Sequence, residues 1–447
     1  MANRSPLGEG SALISLPVPP TSFTREQTMP FRPPIDPRAG THLADLADEQ
    51  DRLVGFFLSG LGDPSVPFSW LDIAGRPDRE RPLPLYAVAR LVHCFSVESL
   101  LGRAGAREFA QRAVRHLLDD FADLEFGGFR AEIGPTGSDR KELYGHAFAL
   151  LAGASARQAH LDGAEELFDT ARDAIDSHFW VEPDGVAVES WDRAFTGSEP
   201  YRGQNGNMHL TEAYLAAYEA TGDAVFLDRA RRIADRLVRR AAPTYGWRVP
   251  EHYTTDWQVD GDYNIDNPND PFRPAGTLPG HALEWSRLLL GLRALRPDVD
   301  WAVEAAVQLF DTAVGDAWDT THGGFAYSVD FDGRIINAHR MHWTVAEGIG
   351  ASLSLYRATG EDRYRDWYST FWDHVGTRVI DRKGGSWWHE LDSANRPSFV
   401  TWDGKPDLYH AWQATLYARV DGDGGLAESA SRGALLGARS IEGLPRG

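Results

Sequence analysis

The chain has 447 residues, 45 Lys and Arg against 65 Asp and Glu, and a formal charge of -20. Such an excess of carboxylates argues against nucleic acid or anionic lipid as a partner. One cysteine, Cys94, excludes an intrachain disulfide framework and fits a reducing cytoplasm, and no apolar run approaches the ~18–20 residues that span a bilayer.

Residues 1–40 are proline-rich, show no helical period and read as an irregular, partly disordered arm. From there the dominant pattern is apolar residues recurring at three and four, which predicts about twelve amphipathic helices. They fall at 41–60, 84–102, 105–121, 140–160, 162–180, 203–221, 223–241, 280–295, 299–315, 340–359, 361–378 and 407–420. Two junctions, Ala220-Thr221-Gly222-Asp223 and Ala358-Thr359-Gly360-Glu361, are copies of one turn in which glycine stops a helix and an acid opens the next. The longer connections carry Gly-Gly or Gly-aromatic elements such as Phe126-Gly127-Gly128-Phe129, His322-Gly323-Gly324-Phe325 and Lys383-Gly384-Gly385-Ser386, which predict short β-hairpins on one face.

Six helical hairpins with their long loops on one side predict an all-α fold, an (α/α)6 barrel or toroid, as a single domain over 41–420 followed by a flexible tail at 421–447. A linear α-solenoid leaves unexplained why polar and aromatic residues concentrate in alternate helices, whereas a central cavity explains it. The loop from Tyr245 to Pro279 is long for a connection, and Trp257, Tyr263, Asn264, Phe272 and Arg273 within it predict a lid over that cavity.

Four helix beginnings have a common make-up, namely Gln204-Asn205-Gly206-Asn207-Met208-His209 with Glu212, Pro279-Gly280-His281 with Glu284 and Trp285, His342-Trp343 with Glu347, and Tyr409-His410 with Trp412 and Gln413. Amides, acids and imidazoles at helix starts suit hydroxylated ligands, and an indole suits the C–H face of a sugar ring. His281 and Glu284, three apart, share a helix face.

This ordered set resembles the N-acylglucosamine 2-epimerase superfamily, and within it is most similar to the mannose isomerase and sulfoquinovose isomerase branch. The resemblance implies an (α/α)6 barrel that moves a proton beside a sugar carbonyl with no metal and no nicotinamide. It carries over His281 and His410 as the acid/base pair, with His209, Glu284 and Arg90 as their partners. Candidate sugar contacts are Tyr86, Asn205, Trp343, Glu347, Trp388, Trp412 and Gln413.

The chemistry of the residues agrees. Taking a proton from the carbon beside an aldehyde needs a base near neutral pKa, which histidine supplies, and the resulting enediolate needs donors such as Arg90. His281, oriented by Glu284, is expected to open the pyranose, and His410 to take the C2 proton. Return to C1 gives the ketose, D-fructose from D-mannose; return to the opposite face of C2 gives a 2-epimer instead. A cellobiose, N-acylglucosamine or sulfoquinovose substrate, a glycoside hydrolase using Glu132, Glu142, Glu284 or Glu347, and a non-catalytic sugar-binding protein are the rivals. No cofactor is expected: His281-x-x-Glu284 and His389-x-x-Asp392 have helical ligand spacing, but no carboxylate-rich cluster or zinc-type histidine pair is evident, and a phosphate cradle is missing. A monosaccharide is the expected partner, with oligomeric state left open.

Overall fold

The computed structural model describes residues 34–420, 422, 424–433 and 435–436. Its helices are α1 (Gly40–Leu61), α2 (Leu85–Leu100), α3 (Ala106–His116), α4 (Leu143–Gln158), α5 (Ala164–Ala174), α6 (Gln204–Thr221), α7 (Ala224–Ala234), α8 (Pro279–Leu295), α9 (Ala302–Ala317), α10 (His342–Thr359), α11 (Asp362–His374), α12 (Tyr409–Tyr417) and α13 (Leu426–Ser431). All twelve expected helices are present. Four expected spans end in a π-helical turn, at Leu117–Phe121, Ile175–Phe179, Asp235–Arg240 and Val375–Val379.

Even-numbered helices α2 to α12 form an inner ring in which each touches the next, and α12 returns to α2. Outer helices α3, α5, α7, α9 and α11 pack on the inner helix before them, and α1 packs on α12 to close the circle. Burial explains the division of labour. Outer α7 buries Phe226, Leu227, Ala230, Ile233 and Ala234, a single three–four stripe, whereas inner α4 is buried without interruption from Gly145 to Ala156. Close packing of a pair needs small residues: a Cβ added at Gly153 of α4 lies 2.7 Å from the Phe168 backbone in α5. At the short turns, Gly222 and Gly360 adopt φ of 74° and 71°, and Asp223 caps α7 by accepting from Val225 N–H.

One rule orders the loops. The chain leading into an inner helix pairs with the segment that follows the next outer helix: Leu83–Pro84 with Glu132–Ile133, Lys141–Glu142 with Ser190–Trp191, Arg202–Gly203 with His252–Tyr253, and Arg340–Met341 with Glu390–Leu391. Thr277 bridges Val329 in the same way, and Lys405 N–H reaches Leu71 C=O across the ring closure. Each contact satisfies backbone groups at an inner-helix start that would otherwise be orphaned. Short antiparallel pairings are present as expected: the Gly-Gly turns close locally through Ala122–Phe129, Trp318–Phe325 and Ile380–Trp387, and Trp70–Leu71 with Pro77–Asp78, Trp180–Val181 with Val186–Ala187, and Ser328–Val329 with Ile335–Asn337 are local too, while the four strand pairs above tie successive loops together.

Buried cations fasten this layer. Fully buried Lys141 bonds Asp123 at 3.0 Å, and fully buried Lys405 bonds Asp381 at 2.6 Å and Gly385 C=O at 2.7 Å. The tail expected to be flexible includes α13, whose Leu426, Ala427 and Ala430 are buried against α2, α4 and α6. Residues 1–33 of the expected arm lie outside the described residues.

Candidate active site

Stripes on the inner helices build the site in layers. The second residues of the six inner helices are Tyr86, Tyr144, Asn205, Gly280, Trp343 and His410, and all but Gly280 line one pocket at the helix N-termini. Gly280 makes room for its neighbour, because a Cβ there would fall 2.3 Å from the Trp343 ring. Four residues further along come Arg90, Phe148, His209, Glu284, Glu347 and Ala414, one helical turn deeper. Three more give a lower ring that includes His93, Glu212, Arg287 and Tyr417.

His281, at the start of α8, is buried, and its Nδ1 lies 3.0 and 2.9 Å from the two Glu251 carboxylate oxygens. Gln204 Nε2 donates to Glu251 at 2.8 Å, and Gln204 Oε1 accepts from Trp285 Nε1 at 2.8 Å. Gln204 Nε2 also lies 2.8 Å from His281 Nδ1, so a carboxylate and an amide together fix the orientation of the ring that lines the pocket.

His410, at the start of α12, repeats the arrangement. Its Nδ1 donates to Glu347 Oε1 at 2.8 Å, and its Nε2 lies 3.5 Å from Arg90 Nη2. Burial pushes the His410 imidazole below its ordinary pKa, against the opposing pull of the Glu347 hydrogen bond, so a neutral ring with a free Nε2 is favoured. Arg90 donates to Tyr144 OH at 2.8 Å, stands 3.4 Å from Asp407 and packs over Phe148 at 4.2 Å. Burial opposes charge on Asp407, yet Arg90 and His342 hold its carboxyl well below the usual range. Trp343 stands between the two histidines, with ring centroids 5.2 Å from His281 and 5.8 Å from His410.

Beneath them Arg287 gathers three carboxylates: Glu212 at 3.1 Å, Glu347 at 3.1 Å and Glu284 at 3.9 Å. Glu212 also accepts from Tyr409 OH. Both oxygens of Glu284 are buried with no hydrogen-bond partner among the described residues, and burial followed by the Glu347 and Glu212 charges raises its pKa well above the ordinary range. Burial and the neighbouring carboxylates thus favour the protonated form of Glu284, against the pull of Arg287, and the residue lines the pocket. His209 Nδ1 is 3.5 Å from it, and burial lowers that imidazole to about 4.

The expectation that no carboxylate-rich cluster forms is corrected here, since ligand atoms of His209, Glu212 and Glu284 lie within 4.8 Å of one another. Spacing along the chain cannot reveal such a cluster because it spans two inner helices. Arg287 already brings positive charge to it. His389 and Asp392 are not on a helix: Glu390–Leu391 is extended, and His389 lines the pocket, stacked on His342 at 4.1 Å.

The structure thus brings Tyr86, Arg90, Asn205, His209, His281, Glu284, Trp343 and His410 to one pocket. Other sequence candidates fall elsewhere. Glu284 does not orient His281; Glu251 does. Glu347 is wholly buried and acts on His410 rather than lining the pocket. Trp388 faces Lys405 at 4.2 Å, Trp412 is fully buried with Nε1 on Glu98, and Gln413 accepts from Tyr417 OH below the floor. Residues missed from sequence are Glu251, Arg287, Tyr144, Trp402 and Asp407, while His342, noted only as part of a helix start, and His389, weighed only as a metal ligand, both line the pocket. Of the expected lid, Pro271 and Phe272 line the pocket, while Trp257 packs on Tyr253 and Arg273 pairs with Glu199.

With this geometry in place, comparisons with known proteins agree on one relationship. The family model described as N-acylglucosamine 2-epimerase (GlcNAc 2-epimerase) matches residues 67–414. The chain is 45% identical to the D-mannose isomerase of Thermobifida fusca over 381 residues, which is 84% of this chain and 93% of that one. It is 41% identical to the D-mannose isomerase of Pseudomonas cannabina pv. alisalensis over 386 residues, covering 85% and 93%. A crystal structure of D-mannose isomerase superposes with a TM-score of 0.78 at 30% identity, covering 84% of this chain and 97% of that one. The chain belongs to the N-acylglucosamine 2-epimerase family.

Proposed function

We propose that this protein is an aldose–ketose isomerase interconverting D-mannose and D-fructose through a cis-enediolate, with histidines as the proton carriers and no metal ion. The observation that carries this is the pair His281–Glu251 and His410–Glu347: two imidazoles, each with its Nδ1 against a buried carboxylate, facing one pocket across Trp343. Similarity to two D-mannose isomerases supports the choice of sugar.

In this reading His281 moves the proton that opens the pyranose, and His410 Nε2 takes the C2 proton. Arg90, fixed 3.5 Å from His410 Nε2, is placed to donate to the oxygen on which charge develops. Glu284, whose protonated form burial favours, is a second candidate donor. Returning the proton to C1 from His410 completes fructose, and no group leaves the sugar.

A sulfonated substrate fits less well. Arg248 and Arg273, the cations that would recognise it, are neutralised by Asp316 at 2.7 Å and Glu199 at 2.6 Å. A 2-epimerase is the second reading, favoured by one observation, namely that both imidazoles reach the pocket and can serve opposite faces of C2. A glycosidase would need free carboxylates across the cleft, but Glu347 and Glu212 are tied to Arg287, His410 and Tyr409. The test is incubation with D-mannose in EDTA, with products resolved by chromatography. Fructose supports the isomerase, glucose supports the epimerase, and absence of both overturns the proposal.

A further inference from the structure

The axis of the barrel carries two cavities. The active-site pocket lies among the N-terminal turns of the inner helices, and a second chamber of about 90 Å³ lies among their later turns, with a wall residue from each of the six: His93, Ser155, Glu219, Gly291, Ser354 and Gln413. One polar layer separates them. His209 and Glu284 border the pocket, Glu212 and Arg287 border the chamber, and Arg287 reaches Glu212 at 3.1 Å and Glu284 at 3.9 Å. Arg287 also holds Glu347, the carboxylate on His410, so the support of that imidazole meets the chamber through a single guanidinium. Gln413 Nε2 is buried in the chamber wall with no partner among the described residues, and the space is polar and large enough for water.

The far side of the chamber is closed by the C-terminal segment, through Gly422, Gly424, Gly425, Leu426 and Ala427. The family match ends at residue 414, so this segment lies outside the matched residues. Three inner helices hold it by their last turns. Gln158 of α4 donates to Glu428 at 3.0 Å, Glu219 of α6 accepts from Gly425 N–H at 2.9 Å, and Arg357 of α10 donates to Gly422 C=O at 2.8 Å. Glycine permits the close approach, because a Cβ at Gly425 would fall 2.1 Å from Glu219 Oε2. Beyond α13 the chain is tied back by Leu436 N–H, which donates to Arg419 C=O at 2.5 Å. What α13 itself turns to the chamber is apolar, Leu426 and Ala427, both buried.

We propose that α13, with the Gly424–Gly425 entry, is a stopper for the barrel axis and a positioning element of the active site: it keeps bulk water from Arg287 and Glu212 and so holds the carboxylates beneath His410 and Glu284 in place. Water raises the local dielectric and weakens ion pairs. Opening the chamber therefore loosens the grip of Arg287 on Glu347, while the walls of the pocket above the layer are left as they are. The effect on turnover rests on the reading of the site as an aldose isomerase; the closure of the axis does not.

The test uses Leu426→Asp, which puts a charge on the buried face of α13, and the conservative Leu426→Met, both in the full chain, with thermal unfolding to confirm the barrel. Closure is read by thiol labelling. The native Cys94 is fully buried, so Ser354→Cys in the chamber wall reports access to a water-soluble disulfide reagent. Labelling should be at least about tenfold faster with Leu426→Asp than with Leu426 or Leu426→Met, the mark of a local opening. Equal rates overturn the stopper. Hydrogen exchange of the unaltered chain gives a second measure that no variant can spoil: the α13 amides are protected, and exchange as fast as in an unstructured peptide contradicts the proposal. On mannose, Leu426→Asp lowers kcat by about tenfold with KM changed by less than about twofold, and Leu426→Met restores kcat. Faster labelling with kcat unchanged, or a change confined to KM, overturns the positioning role. If mannose is inert, labelling and exchange still decide whether the axis is stopped, so failure of the isomerase reading is told apart from failure of the stopper.

Discussion

His410 gives its Nδ1 hydrogen to Glu347 at 2.8 Å, while the other oxygen of Glu347 accepts from Arg287 at 3.1 Å. The carboxylate is thus fixed on both sides, and the imidazole is held in the tautomer that leaves Nε2 able to accept a proton. Glu347→Gln keeps the shape and removes the charge. The expected result is a fall in kcat of about 10²- to 10⁴-fold with KM changed far less, since general-base catalysis contributes about that much. Steady-state kinetics on mannose checks it, and a change confined to KM would assign Glu347 to binding.

Glu251 makes the matching contact to His281. Glu251→Gln should slow turnover of D-mannose, with kcat/KM falling by one factor in both directions because they share a path. Ring opening is read separately by polarimetry of freshly dissolved α-D-mannose, whose anomerisation the enzyme should accelerate and Glu251→Gln should not. Acceleration equal to wild type in Glu251→Gln would remove ring opening from the His281–Glu251 pair.

The pH dependence follows from His410. Burial depresses its pKa, so the basic form persists below the ordinary histidine value of ~6.5. Activity is present above the His410 pKa and lost as pH falls through it. The acid limb of kcat should therefore have its midpoint below ~6.5. A midpoint above that value contradicts the assignment of His410 as base.

Metal removal tests the cluster of His209, Glu212 and Glu284. Arg287 lies 3.1 Å from Glu212 and 3.9 Å from Glu284, which is where a divalent ion would have to compete. Full activity after dialysis against EDTA is predicted. Loss restored by Mg²⁺, Mn²⁺ or Zn²⁺ would make the cluster a metal site.

The buried pair Lys405–Asp381 anchors the loop that feeds His410 into the pocket. Asp381→Ala leaves a buried ammonium without its carboxylate and should cost about 3–5 kcal/mol. The double change Lys405→Met with Asp381→Ala should recover much of that. Denaturant unfolding measures both, and additive losses would show that the pair is not coupled.

The helices and their pairing were legible because amphipathic periodicity and the repeated Thr-Gly-acid turns are local signals. His281, His410, Trp343 and Asn205 were legible too, since helix starts mark the pocket end. Glu251 was not, because it lies on an extended segment whose register against Gly203 only the fold sets. Trp412 was misplaced for a geometric reason: two residues after His410, it leaves the stripe that faces the axis, whereas Gln413, three after it, falls below the floor among Glu212, Arg287 and Tyr417. Glu347 stays on that stripe but a full turn deeper, which converts a sugar contact into a support for His410. Arg287 lies on the same stripe of α8, two turns below Gly280, yet nothing in its local sequence announces three carboxylates from neighbouring helices.

Proton transfer between C2 and C1 by a carboxylate-held histidine can be followed with D-mannose deuterated at C2. Turnover should slow and, in H₂O, the fructose formed should have lost part of its deuterium to solvent, with both effects abolished along with activity in His410→Asn. Complete retention of deuterium at C1, at a rate unchanged by His410→Asn, would rule that transfer out.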